Sequence, residues 1–396
     1  MIKQDIPKIR FYSYQGSWTE NRIADIVKIS AGGDADKVKL KESGKYPVIA
    51  NALTNKGIVG FYEDYKVKAP AVTVTGRGDV GYAVARHENF TPIVRLLTLQ
   101  SEKIDVDYLE NQINSMRILN ESTGVPQLTA PQLGNYKVYH PEIEEQSVIG
   151  SLFRTLDDLL SNYKDNLTNY QSFKATMLSK MFPKAGQTVP EIRLEGFEGE
   201  WEKTTLEKST DRVKSYSLSR DVETNQDTGL KYIHYGDIHL GKVSMIDDGN
   251  SIPYIRTDTK LSEFLQQGDL IFADASEDYK GIAEVAVVVT ALSEKIVAGL
   301  HTIAVRPQSI FDSIFLYYMF KTQTFRKYGY KVGTGMKVFG ISPSNLMKYE
   351  FYYPDKKEQQ AIGAYFSNLD NLINSYQEKI SQLEILKKKL LQDMFI

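Results

Sequence analysis

The chain has 396 residues and no cysteine. That absence excludes disulfide scaffolds, thiolate zinc sites, iron–sulfur clusters and cysteine nucleophiles. It also fits a reducing compartment. Long apolar runs are missing too. The stretch from Val285 to Leu292, broken only by Thr290, is far too short to span a bilayer. Residues 1–7 hold no apolar core, so no secretory signal is expected. No excess of charge of either sign is present: the formal net charge is −2. Hydrophobic residues make up 42% and charged residues 25%, which excludes a disordered or collagen-like chain. The expectation is a soluble cytoplasmic protein of two or three domains.

What is present is a repeat. Pro7, Ile9, Arg10, Gly16 and Trp18 recur 183 positions later as Pro190, Ile192, Arg193, Gly199 and Trp201, and the chain has no other tryptophan. A second repeat runs at an offset of 213. Pro141 and Gln146 match Pro354 and Gln359; Phe153 matches Phe366; Leu156-Asp157 matches Leu369-Asp370; Tyr163 matches Tyr376; Met181-Phe182 matches Met394-Phe395. The interiors, about 25–125 and 210–335, match poorly, and the second is longer by 30 residues. Two units share a frame and differ in content, which predicts pseudo-two-fold symmetry.

Both repeated segments carry helical periodicity. Apolar residues fall at Ile149, Leu152, Leu156, Leu159, Tyr163, Leu167, Tyr170, Phe173, Met177 and Met181. They fall in the same phase at Ile362, Tyr365, Leu369, Leu372, Tyr376, Ile380, Leu383, Leu386, Leu390 and Met394. Pro141 and Pro354 stand at the helix starts, and Pro183 ends the first helix. A helix of about 40 residues is about 60 Å long. Equal phase and length predict that the two pack on each other as an antiparallel coiled coil; the plainer alternative makes each the core helix of its own domain.

The interiors read as mixed α+β. Strands are expected at 46–49, 58–62, 71–75, 232–235, 270–273, 283–289 and 302–305, with helices near 106–119 and 314–327. The resulting domains are 1–140 and 184–353, with helical spacers 141–183 and 354–396. Their net charges are +3 and −3 for the globules and −2 and 0 for the spacers.

Catalytic motifs are weak. Gly76-Arg77-Gly78-Asp79-Val80-Gly81 matches a dinucleotide loop in letters, but Tyr82 to Ala85 reads as a strand, so a glycine hairpin is expected. Gly236 to Val243 nearly matches a P-loop, yet Val243 stands where Ser or Thr must bind Mg²⁺, so a turn between strands is expected. The five histidines form no ligand cluster, and His140 reads as structural. There is no G-x-S-x-G elbow and no Asn/Asp-Pro-Pro-aromatic tetrapeptide. The chain offers no machinery for bond-making and no metal site.

The Pro-x-Ile-Arg-x₅-Gly-x-Trp opening, the two Pro-x₄-Gln-x₂-Ile-Gly-x₂-Phe-x₂-Leu-Asp helix starts and the two Met-Phe endings resemble the specificity subunit of type I restriction-modification systems. So do Leu128-Thr129-Ala130-Pro131-Gln132-Leu133 and Ile341-Ser342-Pro343-Ser344-Asn345-Leu346. The resemblance covers nearly the whole chain. It implies two target-recognition domains, each reading one half of a split, asymmetric site in double-stranded DNA, held apart by the two helices. It implies a non-catalytic subunit without a cofactor of its own. Its partners are two modification subunits, which bind S-adenosylmethionine and methylate adenine, and it can also carry restriction subunits that use ATP and Mg²⁺.

Half-sites one turn apart need about 34 Å, within the reach of such helices. Phosphate contacts normally dominate affinity, so a chain of net charge −2 is expected to bind DNA weakly by itself. Base readout needs polar or cationic side chains on loops. The candidates are Asn51, Lys56, Thr75 and Arg77 in the first domain. In the second they are His234, Tyr235, Ser276, Lys280, Lys331, Thr334 and Lys337, with carboxylates near Asp274 and Glu277 able to accept from cytosine. Two competing classes are a duplicated protein–protein adaptor without DNA specificity and a self-contained nuclease or methyltransferase.

Overall fold

The computed structural model describes residues 6–118, 126–247, 252–276, 283–335 and 339–395. The chain forms two compact units. One comprises Met1–Asn166 with Tyr376–Ile396, the other Leu167–Ser375. Among the described residues no helix is long and apolar enough to cross a membrane.

In the first unit an antiparallel sheet runs in the order Lys28–Ala31, Leu97–Gln100, Ala71–Val74, Ala83–Arg86. A three-stranded sheet joins Ile58–Tyr62, Tyr46–Ile49 and Thr91–Pro92. The glycine-rich segment 76–81 is therefore the turn of an antiparallel hairpin, as expected, with Val74 opposite Ala83. In the second unit a five-stranded sheet takes the order Thr210–Val213, Thr302–Pro307, Leu270–Ala273, Val285–Val288, Met245–Ile246. A four-stranded sheet packs Glu223–Thr224, Tyr254–Ile255, Leu230–Ile233 and Lys295–Ala298.

Three local expectations are corrected. The helix near 106–119 stops at Ser115. Asn114 exchanges two hydrogen bonds with the Ala83 backbone (2.9 and 3.0 Å), and Ile118 is carried onto Gly81, where a Cβ would lie 2.7 Å away. The helix at 314–327 is two helices, Ser313–Phe320 and Gln323–Val332, because Thr322 turns extended and caps the second. The turn expected at 236–243 contains a short helix, Tyr235–His239, capped by His234.

The long helices are Ile143–Lys180 and Lys356–Asp393, 38 residues each. Within the first unit the start of one meets the end of the other antiparallel: Lys387 pairs with Asp157, Lys164 with Glu384 at 2.7 Å, and the Tyr163 and Tyr376 rings lie 5.3 Å apart. Within the second unit Lys174 pairs with Asp370. The predicted stripe is not buried throughout. Leu159, Phe173 and Leu386 remain 39%, 44% and 44% exposed, while Leu160, off the expected positions, is buried. A straight helix drifts about 20° per heptad against a fixed seam.

The repeated motifs are contact lists. Arg10 clamps Glu145 with two bonds of 2.7 Å, and Arg193 clamps Glu358 with bonds of 2.7 and 2.6 Å. Each arginine also donates to a glycine carbonyl six residues on, Gly16 or Gly199. Gln146 donates to Pro141 O and accepts from Asp105 N–H; Gln359 does the same with Pro354 and Asp312. Those aspartates cap the helices Val106–Ser115 and Ser313–Phe320. Gly150 is required because a Cβ there would lie 2.5 Å from Asp105 Oδ1. Trp18, Tyr108, Phe153 and Phe395 form one core; Trp201, Phe315, Phe366 and Phe182 form its counterpart. Thr129 and Ser342 cap the two short proline-started helices.

Candidate nucleic-acid interface

In the first unit the loops gather around the glycine hairpin. Thr75 is buried, not offered outward as expected: its N–H donates to Tyr82 O (2.9 Å), and its hydroxyl donates to Asp79 O and accepts from Tyr82 N–H. It closes the hairpin. Asn51 is also committed. Its Nδ2 donates to Val94 O at 2.6 Å and its Oδ1 accepts from Gly76 N–H at 2.7 Å. Both ends of the amide are engaged within the loops, which fixes its orientation.

Arg77 follows, exposed between Gly76 and Gly78, and its guanidinium meets no partner among the described residues. Lys56 is exposed on a left-handed backbone (φ 49°), and its carbonyl accepts from Arg86 Nη2 at 2.7 Å. Arg86 lies beneath, with burial pulling its pKa down to about 10. Sequence reasoning missed Arg95. It is exposed, left-handed (φ 60°) and backed against Gly76, whose Cβ would lie 2.9 Å from Arg95 O. No glycine or asparagine marks the Val94-Arg95 turn, so nothing in the letters announces it.

In the second unit the cluster is aromatic and imidazole-rich. His234 is buried, and its Nδ1 accepts from Gly236 N–H (3.1 Å). Burial, then Arg220, lowers its pKa, so the ring stays neutral near pH 7. Tyr235 stands half-buried, 4.5 Å from the His234 ring and 5.4 Å from that of His301. His301 Nδ1 lies 3.1 Å from Asp274 Oδ1, a carboxyl whose pKa burial raises. Ser276 is fully buried rather than exposed, with its hydroxyl 3.3 Å from His239 Nδ1. Thr334 is exposed and pairs through its backbone with Gly340, which in turn lies opposite Ala275. Lys331 is exposed in the last turn of its helix. Lys280, Lys337 and Glu277 lie outside the described residues. Thus His234, Tyr235, Ser276 and Thr334 share one region, but His234 and Ser276 support it from within.

A half-buried acid, Glu110, lies close enough to Arg86 to act on its charge. Burial, then Asp157, raises the Glu110 pKa from 4.5 to about 7; Asp107 adds to this, and Ala85 N–H and Lys387 oppose it. The folded carboxyl holds its proton more tightly than the unfolded one. Its contribution to stability is therefore fully present below about pH 4.5 and is lost as pH rises through about 7. Glu110→Gln should raise stability by about 2–3 kcal/mol at pH 8 and have little effect at pH 4.5. Denaturant midpoints across that range check this; an equal effect at both ends would refute it.

The family model described as the type I restriction modification DNA specificity domain matches residues 15–170 and 236–385. The chain belongs to this family. Each specificity-domain match runs from a globule into a long helix. A putative type I specificity subunit of Mycoplasma pneumoniae is 26% identical over 164 residues, 40% of this chain and 44% of that protein. The chain thus spans less than half of that relative's length. The MjaVIII specificity subunit of Methanocaldococcus jannaschii is 21% identical over 398 residues, 94% of this chain and 91% of that one. The S subunit of a type I restriction-modification system from M. genitalium shares the fold, with a TM-score of 0.68 at 16% identity over 99% of both chains.

Proposed function

We propose that this chain reads DNA sequence for a type I restriction-modification complex. The observation that carries the reading is one frame, matched twice by the specificity-domain model, bearing two unlike loop surfaces. The loops around the glycine hairpin read one half-site. A tyrosine–histidine cluster reads the other. Unlike readers imply an asymmetric, bipartite target.

Arg77 and Lys56 face DNA from the first unit, and Tyr235, Lys331 and Thr334 from the second; Lys280 and Lys337, outside the described residues, stay candidates on sequence alone. Asn51, Thr75, His234 and Ser276 hold the loops in shape. The chain itself makes and breaks no bonds. It scaffolds two modification subunits, which carry S-adenosylmethionine and methylate adenine, and restriction subunits with ATP and Mg²⁺ can join. Membership of the specificity-domain family supports this assignment of partners.

Co-expression with a type I modification subunit and long-read methylome sequencing tests this. A single split motif methylated at adenine is expected. Exchanging residues 1–140 for another member's should change one half of the motif and leave the other. An assembled complex without sequence-specific methylation would overturn the reading and favour a protein–protein adaptor.

A further inference from the structure

Six non-glycine residues among those described have left-handed backbones, and four of them, Asn55, Lys56, Val94 and Arg95, lie in two loops of the first unit. Val94 is β-branched, for which such a φ (52°) is strained. Strain of this kind persists only where surrounding contacts over-determine the loop. Here Val94 N–H donates to Gly33 O (2.8 Å), Arg95 N–H to Gly32 O (3.0 Å), and Val94 O accepts from Asn51. The other end of Asn51 holds Gly76 N–H. One buttressed amide thus ties the roots of Arg77 and Arg95 together.

Both arginines are exposed, and neither meets a carboxylate among the described residues; the hairpin's own acid is Asp79. The chain's net charge is −2, so attraction to a polyanion must come from local unpaired cations. An arginine fork binds phosphate best when its direction is set in advance. We propose that Arg77 and Arg95 clamp the DNA phosphate backbone, and that Asn51 is the positioning residue that sets the clamp. This rests on the DNA-reading function and names the contacts that give it affinity.

The test uses the full chain, a labelled random-sequence duplex and anisotropy titrations over rising salt. Arg77→Ala and Arg95→Ala should each weaken binding about tenfold at low salt. Each should make the log affinity against log salt slope shallower by about 0.9. Asn51→Ala should weaken binding in the wild-type background and have no further effect in the Arg77→Ala/Arg95→Ala background. A merely structural Asn51 would cost the same in both, and that result would overturn its positioning role. Wild-type binding with an unchanged slope in the double arginine variant would overturn the clamp alone. An unchanged slope, with one position of the assembled complex's methylated motif relaxed, would make the arginines base readers and also overturn it. No wild-type binding even at low salt would overturn the clamp as a source of affinity in this chain, whereas failure of the methylome test on the assembled complex would overturn the DNA-reading function itself.

Discussion

Phe395→Ala should destabilise the first unit by about 3–5 kcal/mol and leave the second nearly intact. The ring is 7% exposed, 5.4 Å from that of Tyr108 and 5.6 Å from that of Phe153. Its loss leaves a cavity lined by aromatic rings held on two helices, which cannot collapse freely. Phe182 fills the corresponding place against Phe315 and Phe366, so Phe182→Ala should strike the second unit instead. Hydrogen exchange resolved by mass spectrometry separates the units. Equal loss of protection in both from either change would contradict the assignment of each Met-Phe ending to one core.

The second large effect is expected at the arginine clamps. Glu358→Ala should cost about 3–5 kcal/mol in the second unit. The glutamate side chain is 0% exposed and Arg193 19%, so removing the acid strands a mostly desolvated guanidinium. Its bonds to two backbone carbonyls, from Nη1 to Gly199 O and from Nη2 to Glu198 O, do not neutralise it. Arg193→Met/Glu358→Leu should recover part of the loss, because an apolar pair needs no compensation. Denaturant titration followed at Trp201, which shares this core, measures both. A double variant worse than Glu358→Ala would show that the carbonyl bonds outweigh the ion pair.

The frame was legible in the letters because both copies solve the same contacts with the same residues. Arg10 and Arg193, Gln146 and Gln359, and Gly150 and Gly363 recur because a clamp, a latch and a close helix approach each admit few side chains. The loops proposed to read DNA were less legible. Asn51, Thr75 and Ser276 look like base readers, since each is polar and placed on a loop. A polar group beside a tight turn can instead satisfy a buried backbone donor or acceptor, and these three do so or lie buried. Arg95 escaped notice for the opposite reason: its exposure comes from a left-handed turn held by distant Gly32, Gly33 and Asn51.

Duplication, helix phase and the paired motifs could all be read from residue order, because each depends on spacing along one chain. Which polar side chains face outward depended on contacts between loops far apart in that order. Packing alone turned Asn51 onto the Val94 and Gly76 backbones and Arg77 and Arg95 outward, since backbone polar groups at tight turns must find partners and guanidinium groups stay where water can reach them.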